Sequence, residues 1–141
     1  MDDIRKLIEE VLAKGRLISL ATIDESGPWV SDVIYIHDDA LNLYWISKKE
    51  RRHSMAIKTN PKVACSITVS TNPREKDLGV QIEGLAEELN QEPQVADSYW
   101  KKRNLPKTNI EENVAWYVIH PKKIQLINEA LFGYEKKILT L

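Results

Sequence analysis

The feature that most constrains the fold is a change of hydrophobic period after the first fourteen residues. In the opening segment, apolar side chains recur at i, i+3, i+4, i+7 and i+8, which predicts an amphipathic helix over residues 3–14 that ends at Gly15. From residue 17 the chain changes to short β-rich runs, at a spacing of roughly ten residues. Such runs are typical of a small, mostly antiparallel barrel. The helical apolar positions are Ile4, Leu7, Ile8, Val11 and Leu12.

Turn residues and hydrophobic runs divide the rest of the chain. A Ser47-x-x-Glu50 capping box predicts a helix over 48–58, which ends before Pro61, and a second helix is expected over 92–103. Gly84 lies inside a strand pattern and indicates a bulge or a close approach of another backbone. Strands are predicted over 17–23, 29–37 and 41–46 as an antiparallel meander, then over 62–70, 79–89, 114–127 with an interruption at His120-Pro121, and 136–141.

Length and composition favour one globular domain over residues 1–141. The chain is 43% hydrophobic, and no stretch approaches the ~18 consecutive apolar residues of a membrane span. The charged first fifteen residues reverse the order of a secretory signal, and a single Cys65 allows no internal disulfide. We therefore expect a cytoplasmic protein in which Cys65 is an inert core thiol.

Several common functional motifs are missing from the sequence. It contains no Gly-x-Gly-x-x-Gly and no Walker loop, and no serine lies in a nucleophile elbow. The three histidines, at 37, 53 and 120, share no ligand spacing with Cys65, so no metal site is predicted. His37 and His120 are interpreted as surface or capping residues.

A cationic segment follows the apolar run that ends at Ile46. From Lys48 to Lys62 there are six Lys or Arg residues against one acidic residue, a local charge of +5 in a chain of net charge −1. A helix N-terminus beside arginines is suited to a phosphate, because free N–H groups, the helix dipole and planar guanidinium donors act together. The alternative is that Ser47 only caps a helix whose basic face is solvated. The residues alone leave these two interpretations equally balanced.

Alternation along the second predicted strand places aromatic and small polar side chains on one face. This face could border a flat ring system, or its aromatic residues could pack within the barrel or an interface. The same two interpretations apply to Trp116 and Tyr117 near the start of the last long strand. The face consists of Trp29, Ser31, Val33, Tyr35 and His37.

An ordered series of segments resembles the pyridoxamine 5'-phosphate oxidase-like FMN-binding split-barrel family. The resemblance covers about residues 4–127 and implies a mainly β fold with some α structure. That fold is an antiparallel split β-barrel of five to seven strands, with an N-terminal helix and two or three short helices. The series is Leu20-Ala21-Thr22-Ile23-Asp24, Val30-Ser31-Asp32-Val33-Ile34-Tyr35, Leu43-Tyr44-Trp45-Ile46-Ser47, Arg52-His53, Asn60-Pro61-Lys62-Val63-Ala64 and Gly79-Val80-Gln81-Ile82-Glu83-Gly84.

The resemblance also implies a cofactor site at the cationic segment. It places Ser47 and Arg52 at the FMN phosphate, with His53 where relatives often have a lysine. A neutral imidazole donates one hydrogen bond where lysine offers three and a fixed charge, so the phosphate affinity is expected to be weaker or pH-dependent.

Further cofactor contacts follow from the same family pattern. Ser31, Val33 and Tyr35 would line the isoalloxazine ring, and Gln81 would lie on the ring or phosphate side. Trp116 would reach the cofactor from the other subunit, because such proteins are typically homodimers with two FMN sites at the interface.

The function implied by the resemblance is that of an FMN-dependent oxidoreductase that takes electrons from a nicotinamide nucleotide or a small substrate. The basic residues of the true oxidase have no counterpart in 32–37, so oxidation of pyridoxamine phosphate is not expected. The family also includes deazaflavin enzymes and haem-binding proteins. Alternatives are a flavin carrier without turnover and a nucleic-acid-binding barrel, although a pI near 6.3 disfavours the latter. No membrane partner is expected.

Overall fold

A computed structural model describes residues 3–141, and the elements follow one another along the chain as a helix, four strands, a helix, two strands, a helix, a long strand, a short helix and a last strand. The bounds are α1 Ile4–Lys14, β1 Leu17–Asp24, β2 Gly27–Ile34, β3 Ile36–His37, β4 Leu43–Lys48, α2 Arg52–Thr59, β5 Lys62–Thr68, β6 Leu78–Glu88, α3 Ala96–Arg103, β7 Val114–Asn128, α4 Glu129–Phe132 and β8 Lys137–Thr140.

All of these strands belong to one antiparallel sheet that curls into a half-barrel. The order across the sheet is β2-β1-β5-β6-β7-β4-β3, and β8 pairs with β7. The predicted split-barrel fold class is therefore confirmed, with the two-residue β3 beyond the predicted five to seven strands. None of the described helices is both long and apolar enough to cross a membrane.

The predicted meander over the first three strands is confirmed only in part. β1 and β2 form the expected hairpin, and residues 36–37, the end of the predicted 29–37 strand, form β3 and pair with β4. β2 itself does not pair with β4, whose other edge pairs with β7. The ladder breaks at Tyr35, which is fully buried and whose hydroxyl donates a 2.6 Å hydrogen bond to the Leu12 carbonyl oxygen of α1. The break at Tyr35 separates β2, at one end of the strand order, from β3, at the other end.

The core fills the concave side of the sheet. The apolar stripe of α1 inserts Ile8 and Leu12, and Trp45 of β4 stacks on Tyr117 of β7 with ring centroids 5.6 Å apart. Cys65 is buried in the same cluster, which raises the pKa of its thiol to about 12, as expected for an inert core residue. A second cluster on the other side of the β4–β7 segment contains Ile36, Ala96, Tyr99 and Trp116.

Helix α2 begins later than the capping-box pattern predicts. Residues 43–48 pair with β7, and the Lys49 amide continues this ladder with a 2.8 Å hydrogen bond to the Asn113 carbonyl oxygen. These bonds keep Ser47 in β4, so the predicted Ser47 cap is wrong. The N-cap position falls on Arg51, whose side chain makes no capping hydrogen bond.

The predicted irregularity at Gly84 is confirmed as a β-bulge. The β6–β7 register shifts between Glu83, which pairs with Lys123, and Gly84, which pairs with Pro121. The extra residue lies in β7, so that strand continues through the expected interruption at His120-Pro121. A Cβ at Gly84 would collide with the His120 carbonyl oxygen, which explains why glycine is needed there.

We expect Gly84→Ala to lower the free energy of unfolding by about 1–3 kcal/mol, because the added methyl group meets backbone that cannot move without disrupting the ladder. Urea denaturation followed by circular dichroism measures the change. Glu83→Ala is the matched control: it introduces the same side chain at the adjacent exposed position and should stay within about 0.5 kcal/mol of wild type. An unchanged midpoint for Gly84→Ala would contradict the assigned packing.

Candidate functional site

The candidate site lies where the β1–β2 hairpin, the end of β4 and the start of α2 meet. In the hairpin register, Trp29 pairs with Thr22 and Ser31 pairs with Leu20. Directly paired residues project to the same face of a sheet, and both Leu20 and Thr22 are buried. The side chains of Trp29 and Ser31 therefore face the concave side, where α2 contacts both strands.

A histidine joins three of these elements. His53 Nδ1 lies 3.1 Å from Ser31 Oγ of β2, and His53 Nε2 lies 2.9 Å from Ser47 Oγ of β4. The imidazole is only 8% exposed. Burial, aided by the nearby Arg51 charge, lowers the pKa of His53, so the ring is neutral at pH 7.

The neutral state of the His53 ring limits how the two serine hydroxyls can hydrogen-bond to it. A neutral imidazole donates from one nitrogen and accepts at the other, so one serine donates to His53 while the other accepts from it. If Ser31 donates to Nδ1, then Nε2–H donates to Ser47, and the Ser47 hydroxyl hydrogen remains available for another acceptor. His53 thereby orients a hydroxyl donor without contributing a charge.

The positive charge of the site is carried by Arg52. Its Nε lies 2.8 Å from Asp24 Oδ2, its Nη2 lies 3.1 Å from Asp24 Oδ1, and its guanidinium carbon lies 4.5 Å from the Trp29 ring centroid. The hydrogen bond to Arg52 lowers the pKa of Asp24, and the same bond raises the pKa of Arg52. Within residues 3–141, Arg52 is the member of the cationic segment that forms an ion pair.

The backbone adds further donors beside these side chains. The first N–H groups of an α-helix have no acceptor within the helix, and the dipole makes this end positive. Because the Arg51 side chain does not cap α2, a ligand oxygen could accept from these groups. The Ser54 hydroxyl donates a 2.8 Å hydrogen bond to the Lys48 carbonyl oxygen, and this bond stabilises the bend between β4 and α2.

The structure thus brings together four of the eight predicted site residues, namely Ser31, Ser47, Arg52 and His53. Val33 is partly buried and packs against the main core, and Tyr35 lies within that core, bonded to α1.

The other two predicted residues lie apart from this group. Gln81 is exposed, and its Oε1 accepts a 2.7 Å hydrogen bond from Gln125 Nε2, beside a cavity of about 540 Å³ on the convex face of the sheet. Trp116 is 3% exposed and packs edge-on against Tyr99 in the second cluster.

Asp24 was not among the predicted site residues. The alternation of buried positions along β1 was the available signal, since it places Asp24 on the face of Leu20 and Thr22. No local pattern identified Arg52 as the partner, because 28 residues separate the two in the chain.

Known sequences are similar to this chain over almost its whole length. The family model described as pyridoxamine 5'-phosphate oxidase matches residues 4–128. The UPF0306 protein YE0465 of Yersinia enterocolitica is 25% identical over 131 residues, which cover 90% of this chain and 87% of that protein.

Solved structures show the same architecture. A heme binding protein from Mycobacterium smegmatis is similar with a TM-score of 0.72 and 14% identity, covering 99% of this chain and 59% of that chain. An F420 reductase is similar with a TM-score of 0.65 and 24% identity, covering 82% of this chain and 94% of that chain. At these identities, the structural similarity concerns the fold alone.

We expect acidification to destabilise the protein through His53. Its pKa is lower in the folded than in the unfolded state, so the unfolded chain binds more protons as the pH falls through about 6.5. The contribution of His53 to the free energy of unfolding should therefore be complete above about pH 7. It should decrease as the pH falls, until the pH is below the lowered pKa of the folded state.

Urea denaturation at pH 7.5, 6.5 and 5.5 tests this expectation. His53→Gln should flatten the dependence on pH, although His37, whose pKa burial also lowers, should leave a residual slope. Equal slopes for His53→Gln and wild type would exclude a buried neutral His53.

Proposed function

Because the chain belongs to the pyridoxamine 5'-phosphate oxidase family, we propose that residues 1–141 form a single FMN-binding split-barrel domain and that the protein is an FMN-dependent oxidoreductase. The observation that carries this proposal is the convergence of Ser31, Ser47, Arg52 and His53 at the start of α2. The Ser47 hydroxyl that His53 orients, the Arg52 guanidinium and the first N–H groups of α2 form a donor set suited to a phosphate. Bound FMN would supply the electron transfer, and the protein would bind and orient it.

The donor set matches the charge and geometry of a phosphate monoester. Such a group carries about −1.5 to −2 charges at pH 7, and Arg52 offers planar paired donors for it. Two or three charge-assisted hydrogen bonds of roughly 1.5–3 kcal/mol each, together with burial of the ring, correspond to micromolar affinity. In this proposal, Ser47 donates its hydroxyl to the phosphate and His53 keeps that hydroxyl oriented.

The surroundings of His53 favour a flavin over haem. A histidine that ligates haem iron needs a free ring nitrogen, whereas each nitrogen of His53 is within hydrogen-bond distance of a serine hydroxyl. The similarity to an F420 reductase keeps a deazaflavin as the second candidate cofactor. We place FMN first because the clustered donors are suited to a monoester close to the barrel wall.

The convex face of the sheet supports the proposed homodimer. Val30 is 62% exposed there, beside a shallow cavity whose rim includes the small residues Ala21, Ala64 and Ser66. An apolar, small-residue sheet face of this kind suits a second copy of the chain. In the proposed dimer, Gln81 on this face would reach a cofactor only across the interface. Trp116 is buried against Tyr99, so a contact from Trp116 to the partner's cofactor would require this cluster to rearrange. We propose a cytoplasmic location, with a nicotinamide nucleotide or small molecule as reductant.

An absorbance spectrum of the purified protein separates the main alternatives. Flavin absorbance bands would indicate bound FMN. Because bound cofactor can be lost during purification, FMN is also added and its fluorescence quenching is titrated. A Soret band would instead indicate haem. Stoichiometric FMN that is not reduced by a nicotinamide nucleotide would indicate a carrier rather than an enzyme.

We expect Arg52→Ala to weaken FMN binding by more than tenfold while leaving the fold intact, because it removes the charged donors for the phosphate. Fluorescence titration gives the dissociation constants. Lys58→Ala is the control, since it removes an exposed cation from the last turn of the same helix and should change the affinity by less than about twofold. Equal affinity of Arg52→Ala and wild type would remove Arg52 from the site.

A further inference from the structure

The Arg52 side chain, proposed above as the phosphate contact, already holds an anion of the protein itself. Asp24 engages two of its donors at 2.8 and 3.1 Å in a bidentate arrangement. The side chains of Arg52 and Asp24 are 34% and 25% exposed, so the pair lies at the wall of the site, within reach of solvent and of a ligand.

We propose that Asp24 is a counter-anion within the site that engages Arg52 when no ligand is bound, and that a ligand phosphate must displace it from the Nε–Nη2 edge. This inference rests on the proposed function, since it concerns the regulation of that same site. A carboxylate and a phosphate recognise the same paired donors, and Asp24 takes the Nε–Nη2 edge of the guanidinium, so a phosphate that binds this edge competes with Asp24 for it. Asp24 then lowers the affinity for an anion that binds through this edge, and ligands without further contacts are kept out.

Trp29 holds the Arg52 guanidinium in a position from which it can exchange Asp24 for a phosphate. The guanidinium lies against the indole at 4.5 Å, and this contact is independent of which anion the edge of the guanidinium engages. Arg52 can therefore slide across the Trp29 face from Asp24 towards a phosphate without losing its stacking partner. No other acid is paired with Arg52 in residues 3–141.

The ion pair between Asp24 and Arg52 can break while the β1–β2 turn that contains Asp24 stays folded. Its Oδ1 also accepts a 2.9 Å hydrogen bond from the Ser26 amide, which closes the β1–β2 turn. An asparagine retains this acceptor and removes only the charge, so Asp24→Asn isolates the competition from the turn. Circular dichroism and the melting temperature should confirm that the variant is folded.

The test measures FMN affinity by fluorescence titration in wild type, Asp24→Asn, Arg52→Ala and the double variant. We expect Asp24→Asn to tighten FMN binding by about two- to fivefold, the range to which an ion pair at a partly exposed wall corresponds. In the Arg52→Ala background the same change should have no effect. Glu25→Gln, which removes the neighbouring exposed charge, should leave the FMN affinity unchanged.

Each other outcome overturns the inference in an identifiable way. If Asp24→Asn binds FMN more weakly than wild type, Asp24 positions Arg52 for the phosphate and does not compete with it. Equal tightening with and without Arg52, or by Glu25→Gln, would show only a general effect of charge. If Arg52→Ala binds FMN as tightly as wild type, the proposed phosphate site itself is wrong, which is a separate failure from that of the competition.

Discussion

The pairing of β4 with β7 is the constraint on which the rest of the structure depends. It joins the two halves of the sheet across six residue pairs, from Leu43 with Ile119 to Lys48 with Val114, and the Trp45–Tyr117 stack fills the core beneath it. Because the ladder extends through Lys49, the strand holds Ser47 in place and the helix begins at Arg52. The site is thus formed by the end of a ladder, and its geometry follows from backbone hydrogen bonds rather than from a helix cap.

Burial of His53 leaves Arg52 as the fixed cation among the four converging residues. His53 is a neutral ring between two hydroxyls, and the desolvation that lowers its pKa would be still more costly for an ammonium group at the same position. The consequence is a division of roles. Arg52 carries charge at the wall, while His53 sets the direction of the Ser47 hydroxyl from the interior.

Local patterns in the sequence were sufficient for α1, the β1–β2 hairpin and the bulge at Gly84, because alternation, helical period and glycine report contacts near in the chain. The order of the family segments placed Ser47, Arg52 and His53 at one predicted site. Other features depend on contacts between distant residues. The hydrogen bond from Tyr35 to Leu12 redirects the chain, and the ladder to Asn113 shifts the start of α2, yet neither leaves a pattern in its own segment.

The cationic segment therefore has two parts with different physical roles. Arg52 is charge-compensated by Asp24 and His53 is neutral, so the inner site gives little net attraction at a distance. Lys48 and Arg51 are exposed, and their field extends over roughly the 8–10 Å allowed by salt screening at physiological ionic strength. In the proposed function, the outer charges draw an anion towards the start of α2, and the inner groups select it by exchange of hydrogen bonds. In that proposal, the excess of positive charge in the sequence governs the approach of the anion, whereas selection depends on inner groups whose charges nearly cancel.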